Sequence, residues 1–269
     1  RIVSAQKYGP YKTSEIALAW LLLPFLPESS LVLMDRYFFA YDLMWDIWQK
    51  QKRDFLVRMP SKIKPEILYR IGRGDYMVEV KIPRYYRKDR PDMPKTWRLR
   101  MIVYQPPKAK KPIRLLTSLT DQKIEGVEIE ALYHDRWDVE TCIDEIKTHL
   151  CDCATVNRAV VFRSKTPERV EQELYGLLLA YNSIRNVMAD VAEETGGDAL
   201  RLSFTAALER LRECLRDMVF SRLAPEERVR FMRGSIGRAV VPKRPNRHFP
   251  RAVKIKMSKY LLKHVGRRA

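Results

Sequence analysis

Four side chains with the chemistry to act on a phosphodiester lie within one short stretch of the chain: Tyr133, Arg136, Glu140 and Lys147. They supply an aromatic hydroxyl, a guanidinium, a carboxylate and an ammonium. On an α-helix, at about 100° per residue, all four fall within an arc roughly 60° wide. Guanidinium and ammonium groups bind phosphate, and carboxylates bind hard metal ions. The spacing therefore predicts a row of groups that can handle phosphate and metal together.

The element that must position this row is a predicted helix over residues 126–150. The stretch contains no proline, and its apolar residues recur at helical spacing: Ile129, Leu132, Val139, Ile143, Ile146 and Leu150. If this apolar arc is buried, the polar row lies at the rim of a cleft. The alternative is a surface helix with solvated charges and pairs within the helix, such as Asp144 with Lys147.

A second carboxylate, Asp35, ends the apolar run Ser30–Met34. Such a run predicts a strand buried on both faces, with Asp35 at its C-terminal end. A helix over residues 41–52 and a strand over 54–59 follow, which gives a β-α-β order with sites expected beyond the carboxyl ends of the strands. The alternative is that Asp35 only caps the next turn.

The spacing Tyr133-x2-Arg136-x3-Glu140-x6-Lys147 resembles the Y-x2-R-x3-E-x6-K signature of bacterial insertion-sequence transposases, the insertion-sequence-4 group of the DDE enzymes. The sequence LVLMDRYF around Asp35 resembles the strand that carries the second catalytic aspartate of that family. Weaker resemblances cover residues 163–185 and, as a C-terminal basic box, residues 247–254. The family usually has a smaller residue where Tyr37 stands.

This resemblance implies a ribonuclease-H-like α/β fold and a transposase that cuts transposon ends and joins them to target DNA. It implies double-stranded DNA as partner, a synaptic homodimer, and Mg²⁺ or Mn²⁺ as cofactor. Asp35 and Glu140 would be catalytic metal ligands, with their carboxylates about 4–7 Å apart around shared ions. The DNA contacts implied are Tyr133, Arg136, Lys147, Arg36, Arg251 and Lys254.

The family uses three carboxylates, and the first has no counterpart before Asp35. Asp121 is a conceivable substitute, but its position favours a structural role. The chain opens on Arg1, not methionine, so we expect a fragment that lacks the first catalytic aspartate. Two alternatives stay open: a non-catalytic DNA-binding remnant or domesticated protein, and a nuclease of the same fold without strand transfer.

The pattern also predicts how the chain is divided. Between residues 60 and 119 the period of the apolar residues falls to two, which predicts an antiparallel β insertion. We therefore expect four parts: residues 1–59 as part of the ribonuclease-H-like core, 60–122 as the β insertion, 123–196 as the catalytic helix and further core helices, and 197–269 as a helical and basic C-terminal region.

Charge and composition indicate which class of partner the protein binds. Lys and Arg number 51 against 33 Asp and Glu, a net charge of +18, which favours nucleic acid over a membrane. Residues 228–269 contain 14 Lys and Arg and no Asp or Glu. Four cysteines are too few for a disulfide framework in a chain this long, and no apolar run approaches the ~20 residues of a membrane span. We expect a bacterial cytoplasmic, nucleoid-associated protein.

Overall fold

The structure is a computed structural model that describes residues 1–10, 12–106, 111–150, 162–220 and 223–242, without the side chains of 218–220. Two predicted DNA contacts, Arg251 and Lys254, lie outside the described residues. In the described part of the chain, no helix is both long enough and apolar enough to cross a membrane.

The described residues contain one six-stranded sheet with the order β1-β2-β6-β5-β4-β3. Strands β1 and β2 are parallel, and every other neighbouring pair is antiparallel. The strands are β1 (Leu31–Met34), β2 (Asp54–Arg58), β3 (Glu66–Gly72), β4 (Asp75–Lys81), β5 (Thr96–Tyr104) and β6 (Ile113–Thr117). The predicted mixed α/β class is confirmed.

The antiparallel strands predicted between residues 60 and 119 are present, and they extend the sheet that β1 and β2 begin. Strand β6 returns from the insertion to pair with β2, with Val57 opposite Leu116. The boundaries of core and insertion stay a prediction. The predicted burial of β1 on both faces is wrong for Leu31, Val32 and Leu33, which are only partly buried. The reason is that β1 is an edge strand, because β2 is its sole neighbour among the described strands.

Helices cover the two faces of the sheet. Helices α1 (Glu15–Trp20), α2 (Tyr41–Trp45) and α3 (Arg84–Arg87) lie in the N-terminal half, and a π-helical turn, Asp46–Lys50, extends α2. Met44 of α2 packs with Phe55 and Val78 on one face of the sheet. On the other face, Ile129 of helix α4 (Gly126–His134) packs with Leu56, Ile102 and Leu115.

Three further helices form a second packed unit: α6 (Pro167–Thr195), α7 (Phe204–Phe220) and α8 (Pro225–Arg238). Proline occupies the first turn of α6, and a left-handed Gly196 (φ 64°) ends the helix. The core of this unit contains Tyr181, Met188 and Ile236. An isolated bridge between Leu202 and Val240 ties the end of α8 to the start of α7.

The fully buried Arg100 joins the sheet to the segment that carries the signature residues. Its Nε and Nη2 donate to the two carboxylate oxygens of Asp75 at 2.9 and 2.6 Å. The same guanidinium donates to the carbonyl oxygens of Asp121 and Ile124, each at 2.7 Å. A Cβ on Gly126 would lie 3.1 Å from Asp75 Oδ2, so glycine allows α4 to start against this pair. Asp121 therefore has a structural part at the entry to α4.

Removing one partner of this pair tests its role. Asp75→Ala leaves the buried Arg100 charge without its carboxylate, so the free energy of unfolding should fall by about 3–5 kcal/mol. Urea denaturation followed by circular dichroism measures the change. Asp89→Ala, which alters an exposed carboxylate, is the control and should change the value by less than about 0.5 kcal/mol. Equal effects of the two variants would contradict the structural role of the pair.

Candidate active site

The helix predicted over residues 126–150 is not continuous, and that prediction is wrong. The structure has α4, then α5 (Trp137–Asp144), then a π-helical turn, Glu145–Leu150. At the break, the amides of Asp135 and Arg136 donate to the carbonyl oxygens of Leu132 and Tyr133 at 3.1 and 3.3 Å. These bonds span three residues instead of four, so the chain tightens here, between α4 and α5.

The predicted apolar arc is buried only in part. Ile129 and Tyr133 of α4 are buried, whereas the exposed fractions of Leu132, Val139 and Ile143 are 38%, 60% and 44%. The predicted burial of these last three residues is therefore wrong. At the far end of the predicted apolar arc, Ile146 and Leu150 are partly buried against the core of the α6–α8 unit.

Asp35 and Glu140, far apart in sequence, line one open cavity of about 1660 Å³. The cavity lies where β1 and β2 end and α5 begins, at the carboxyl ends of the two parallel strands. Two acidic and four basic side chains are among the residues that line it: Asp35, Glu140, Arg36, Arg58, Lys62 and Arg136. The cationic excess suits an anionic ligand.

Asp35 follows the last residue of β1, as predicted, and caps a 3₁₀ turn, Arg36–Phe38. Its Oδ1 accepts from the backbone N–H of Arg36 at 2.6 Å. The capping alternative is therefore observed, and it is compatible with a place in the cavity, because a carboxylate has two oxygens and about four acceptor sites.

Arg136 and Glu140 lie on neighbouring turns at the start of α5. Arg136 Nη1 donates to Glu140 Oε1 at 3.1 Å, and the guanidinium carbon lies 4.9 Å from the ring centre of Trp137. The Nε of Arg136 is buried and has no hydrogen-bond partner among the described residues. A buried donor without a partner is costly, so this group is suited to an acceptor that a ligand brings.

Tyr133 is the residue of the signature that reaches the core. Its hydroxyl donates to the backbone carbonyl of Met34, the residue before Asp35, at 3.4 Å. Burial raises the pKa of Tyr133 above its ordinary value, and the nearby Arg136 opposes that shift. The hydroxyl therefore stays protonated at neutral pH and remains a donor.

From the sequence, Tyr85 and Tyr86 are candidates to stack on an unpaired base, but the place of Tyr41 beside them in the wall of the cavity was missed. Tyr85 on α3 is 70% exposed, and its ring lies 4.0 Å, centre to centre, from that of Tyr86. Tyr86 meets Tyr41 edge to face at 5.2 Å, and all three line the cavity. Arg58 was also missed, although its place at the end of β2, beside the end of β1, was a usable signal.

Not all predicted site residues come together. Lys147 is exposed on the π-helical turn and is not among the described residues that line the cavity. The break at Asp135 and the π-helical turn both shift it from the arc that a regular helix would give. Within the described ranges, no group of three or more His, Cys, Asp or Glu side chains is placed to hold a metal ion.

The molecule is thus an α/β protein with two carboxylates and four cations around one cavity at the ends of parallel strands. Residues 1–183 match the family model described as transposase DDE domain. The chain belongs to this family. It is also 32% identical over 267 residues to the transposase InsG for insertion sequence element IS4 from Escherichia coli (strain K12). That match covers 96% of this chain and 58% of the relative.

The orientation of α4 can be tested with two leucine-sized residues of one helix. Ile129→Ala should lower the free energy of unfolding by about 2–5 kcal/mol, because it opens a cavity at a fully buried position. Leu132→Ala, at a position 38% exposed, should cost less than about 1 kcal/mol. Urea denaturation of both variants gives the comparison. Similar losses of unfolding free energy in the two variants would mean that Leu132 is buried as well as Ile129, which would contradict this orientation of α4.

Proposed function

We propose that this chain is part of a DNA transposase that hydrolyses phosphodiester bonds at transposon ends and joins the freed strands to target DNA. The observation that carries the proposal is one cavity lined by two carboxylates and by basic side chains, among them Asp35, Glu140, Arg36 and Arg136. Membership of the transposase DDE domain family supports the same function. The protein would act in the bacterial cytoplasm on the nucleoid.

Asp35 and Glu140 are the residues that would hold Mg²⁺ or Mn²⁺. Carboxylate oxygens are the ligands that these ions take, with water and substrate phosphate completing the shell. The ion would make an attacking oxygen more nucleophilic and neutralise the leaving oxygen. Both carboxylates line the cavity and are exposed, which supports their role as ligands of one such ion. The second metal ion of a two-metal mechanism needs a further carboxylate, which the described residues do not place at the cavity.

The cations of the cavity would bind and orient the DNA backbone. Arg136, with its unpartnered Nε, would hold a phosphate next to Glu140, and Arg36 would hold one next to Asp35. Tyr133 is not among the described residues that line the cavity, and its hydroxyl donates to the Met34 carbonyl, so it would have to exchange that bond to donate to a phosphate. Lys147, Arg251 and Lys254 would extend the phosphate contacts along the duplex, and two protomers would meet on paired transposon ends.

A second candidate function is a non-catalytic DNA-binding protein, a remnant or a domesticated relative. The observation that favours it is the lack of a third carboxylate at the cavity among the described residues. The chain spans 58% of the length of the curated relative that it matches. The first catalytic aspartate would be supplied by the remainder of a longer protein, if this chain is a piece of one.

The chain as given should bind DNA without cutting it, because two of the three carboxylates cannot hold a metal pair. Incubation of supercoiled plasmid with the chain and Mg²⁺ should produce no more nicked circles than incubation with Glu140→Ala. Mg²⁺-dependent nicking that Glu140→Ala abolishes would contradict this expectation. It would show that another residue supplies the third ligand.

The basic C-terminal segment should dominate non-specific DNA affinity. Removing residues 243–269 deletes ten Lys and Arg and no Asp or Glu. The cut leaves Val240 and the bond from the Val241 amide to the Arg201 carbonyl in place. Each phosphate neutralised contributes roughly 0.9 to the slope of log affinity against log salt, so the slope should flatten by several units.

The matched control for this deletion is a chain of full length in which the same ten cations are Gln. It should reproduce the loss of affinity and the flatter slope, because charge is the cause. Fluorescence anisotropy with a labelled duplex at four salt concentrations measures both quantities. If neither variant changes the slope, the segment does not touch DNA, and the cavity and the loop over residues 83–96 must supply the contacts.

A further inference from the structure

Helix α5 carries Glu140 and follows directly on Arg136. Its contacts with the rest of the protein include the bonds from Arg1 to Asp138 and the partly buried Cys142, which packs against the core of the α6–α8 unit. None of its own residues is buried, and Val139 and Ile143 face solvent. A helix without buried residues is held chiefly by its ends, since packing stabilises short helices more than propensity does. At the N-terminal end, Tyr133 and Ile129 anchor α4 against the sheet.

At the other end, the anchor is a carboxylate. Glu145 is the one buried residue between His134 and Leu150. It opens the π-helical turn directly after α5. Its Oε2 accepts a hydrogen bond from the Tyr181 hydroxyl at 3.0 Å and pairs with the Arg185 guanidinium. Tyr181 and Arg185 are both buried on α6.

The pair between Glu145 and Arg185 is fully supported by its neighbours. Arg185 Nε donates to the Tyr181 hydroxyl at 3.2 Å, and the guanidinium carbon lies 5.2 Å from the ring centre of Phe204. Burial disfavours the charged form of Arg185, but the bonds to Glu145 and Tyr181 outweigh it, so the pKa of Arg185 lies above its ordinary value. Arg1 approaches the second Glu145 oxygen at 3.5 Å. Each Glu145 oxygen therefore has a guanidinium beside it, Arg185 at Oε2 and Arg1 at Oε1.

Stability alone is a weak reason for such a network. A buried ion pair is often no more stabilising than apolar residues of the same volume, because both charges lose their water. What the pair does supply is a fixed position, since a guanidinium and a carboxylate bond in only a few geometries. Here the position that is fixed is the end of the otherwise loosely packed α5.

We infer that Glu145 and Arg185 are positioning residues, which hold α5 so that Arg136 and Glu140 line the same cavity as Asp35. They touch neither the cavity nor Asp35, and they act through the helix. The inference rests on the proposed function, because it takes Arg136 to be a phosphate contact. If the inference holds, the site depends on two residues outside the cavity, Glu145 on the π-helical turn and Arg185 on α6.

The test is the double variant Glu145→Met with Arg185→Met, which leaves the net charge unchanged. Arg136→Ala alone should lower affinity for duplex DNA about tenfold and the salt slope by about 0.9, the loss of one charged contact. The double variant should show the same two losses while its melting temperature stays near that of the unaltered chain. Anisotropy titrations in EDTA make the result independent of metal.

Combining the three substitutions separates a shared role from independent roles. If the pair acts by placing Arg136, adding Arg136→Ala to the double variant should cause no further loss. The matched control is Glu194→Met with Arg233→Met, which removes a more exposed pair between α6 and α8 that does not touch α5. That control should keep the affinity and slope of the unaltered chain.

Three results would overturn the inference or its basis. A folded Glu145→Met, Arg185→Met chain with unaltered affinity and slope overturns the positioning role, as does a triple variant whose losses add. If Arg136→Ala itself changes nothing, the proposed phosphate contact fails instead.

If the double variant does not fold, the single variant Arg185→Lys decides, because an ammonium cannot bond Glu145 and Tyr181 in one plane as a guanidinium does. A loss of affinity for duplex DNA of about threefold in Arg185→Lys supports the inference, and an unaltered affinity in that variant refutes it.

Discussion

The buried pair of Arg100 with Asp75 is the constraint on which the placement of the site depends. One guanidinium with no exposed surface joins β4 and β5 to the two carbonyl oxygens that precede α4. An arginine can satisfy four acceptors at once because its donors are fixed in one plane. The start of α4 is thereby fixed to the sheet. From that point, Ile129 and Tyr133 pack α4 against the sheet.

The segment from Gly126 to Leu150 is thus held at both ends by buried arginine–carboxylate contacts and is largely exposed between them. Arg100 fixes its beginning, and Arg185 fixes its end through Glu145. The site residues lie in the exposed part, where a ligand can reach them. The buried charges of these anchors, which lose their water, are those of Arg100 and of the Glu145–Arg185 pair, away from the cavity. Glu140 and Asp35 are exposed to solvent.

The sheet and the later helices could be predicted from the sequence, because they depend on local patterns. A period of two predicted β3 to β6, and the amphipathic spacing over residues 204–220 predicts the helix α7, Phe204–Phe220. The break between α4 and α5 could not be predicted, since neither Asp135 nor Arg136 is a helix breaker and the apolar spacing continues across it. The burial of Glu145 could not be predicted either, because its partner Arg185 lies on another helix. That Asp35 and Glu140 line one cavity was expected from family resemblance, and no local pattern predicted it. Their separation of about 4–7 Å stays a prediction.

The central claim is that Asp35 and Glu140 hold one metal ion at a DNA phosphate. Anomalous diffraction from crystals of the chain with a short duplex and Mn²⁺ tests this claim most directly. The account predicts an anomalous peak within about 2.0–2.2 Å of an oxygen of each carboxylate, with the two carboxylates about 4–7 Å apart. A peak bound elsewhere, or carboxylates separated by several times that distance in the DNA complex, would contradict it.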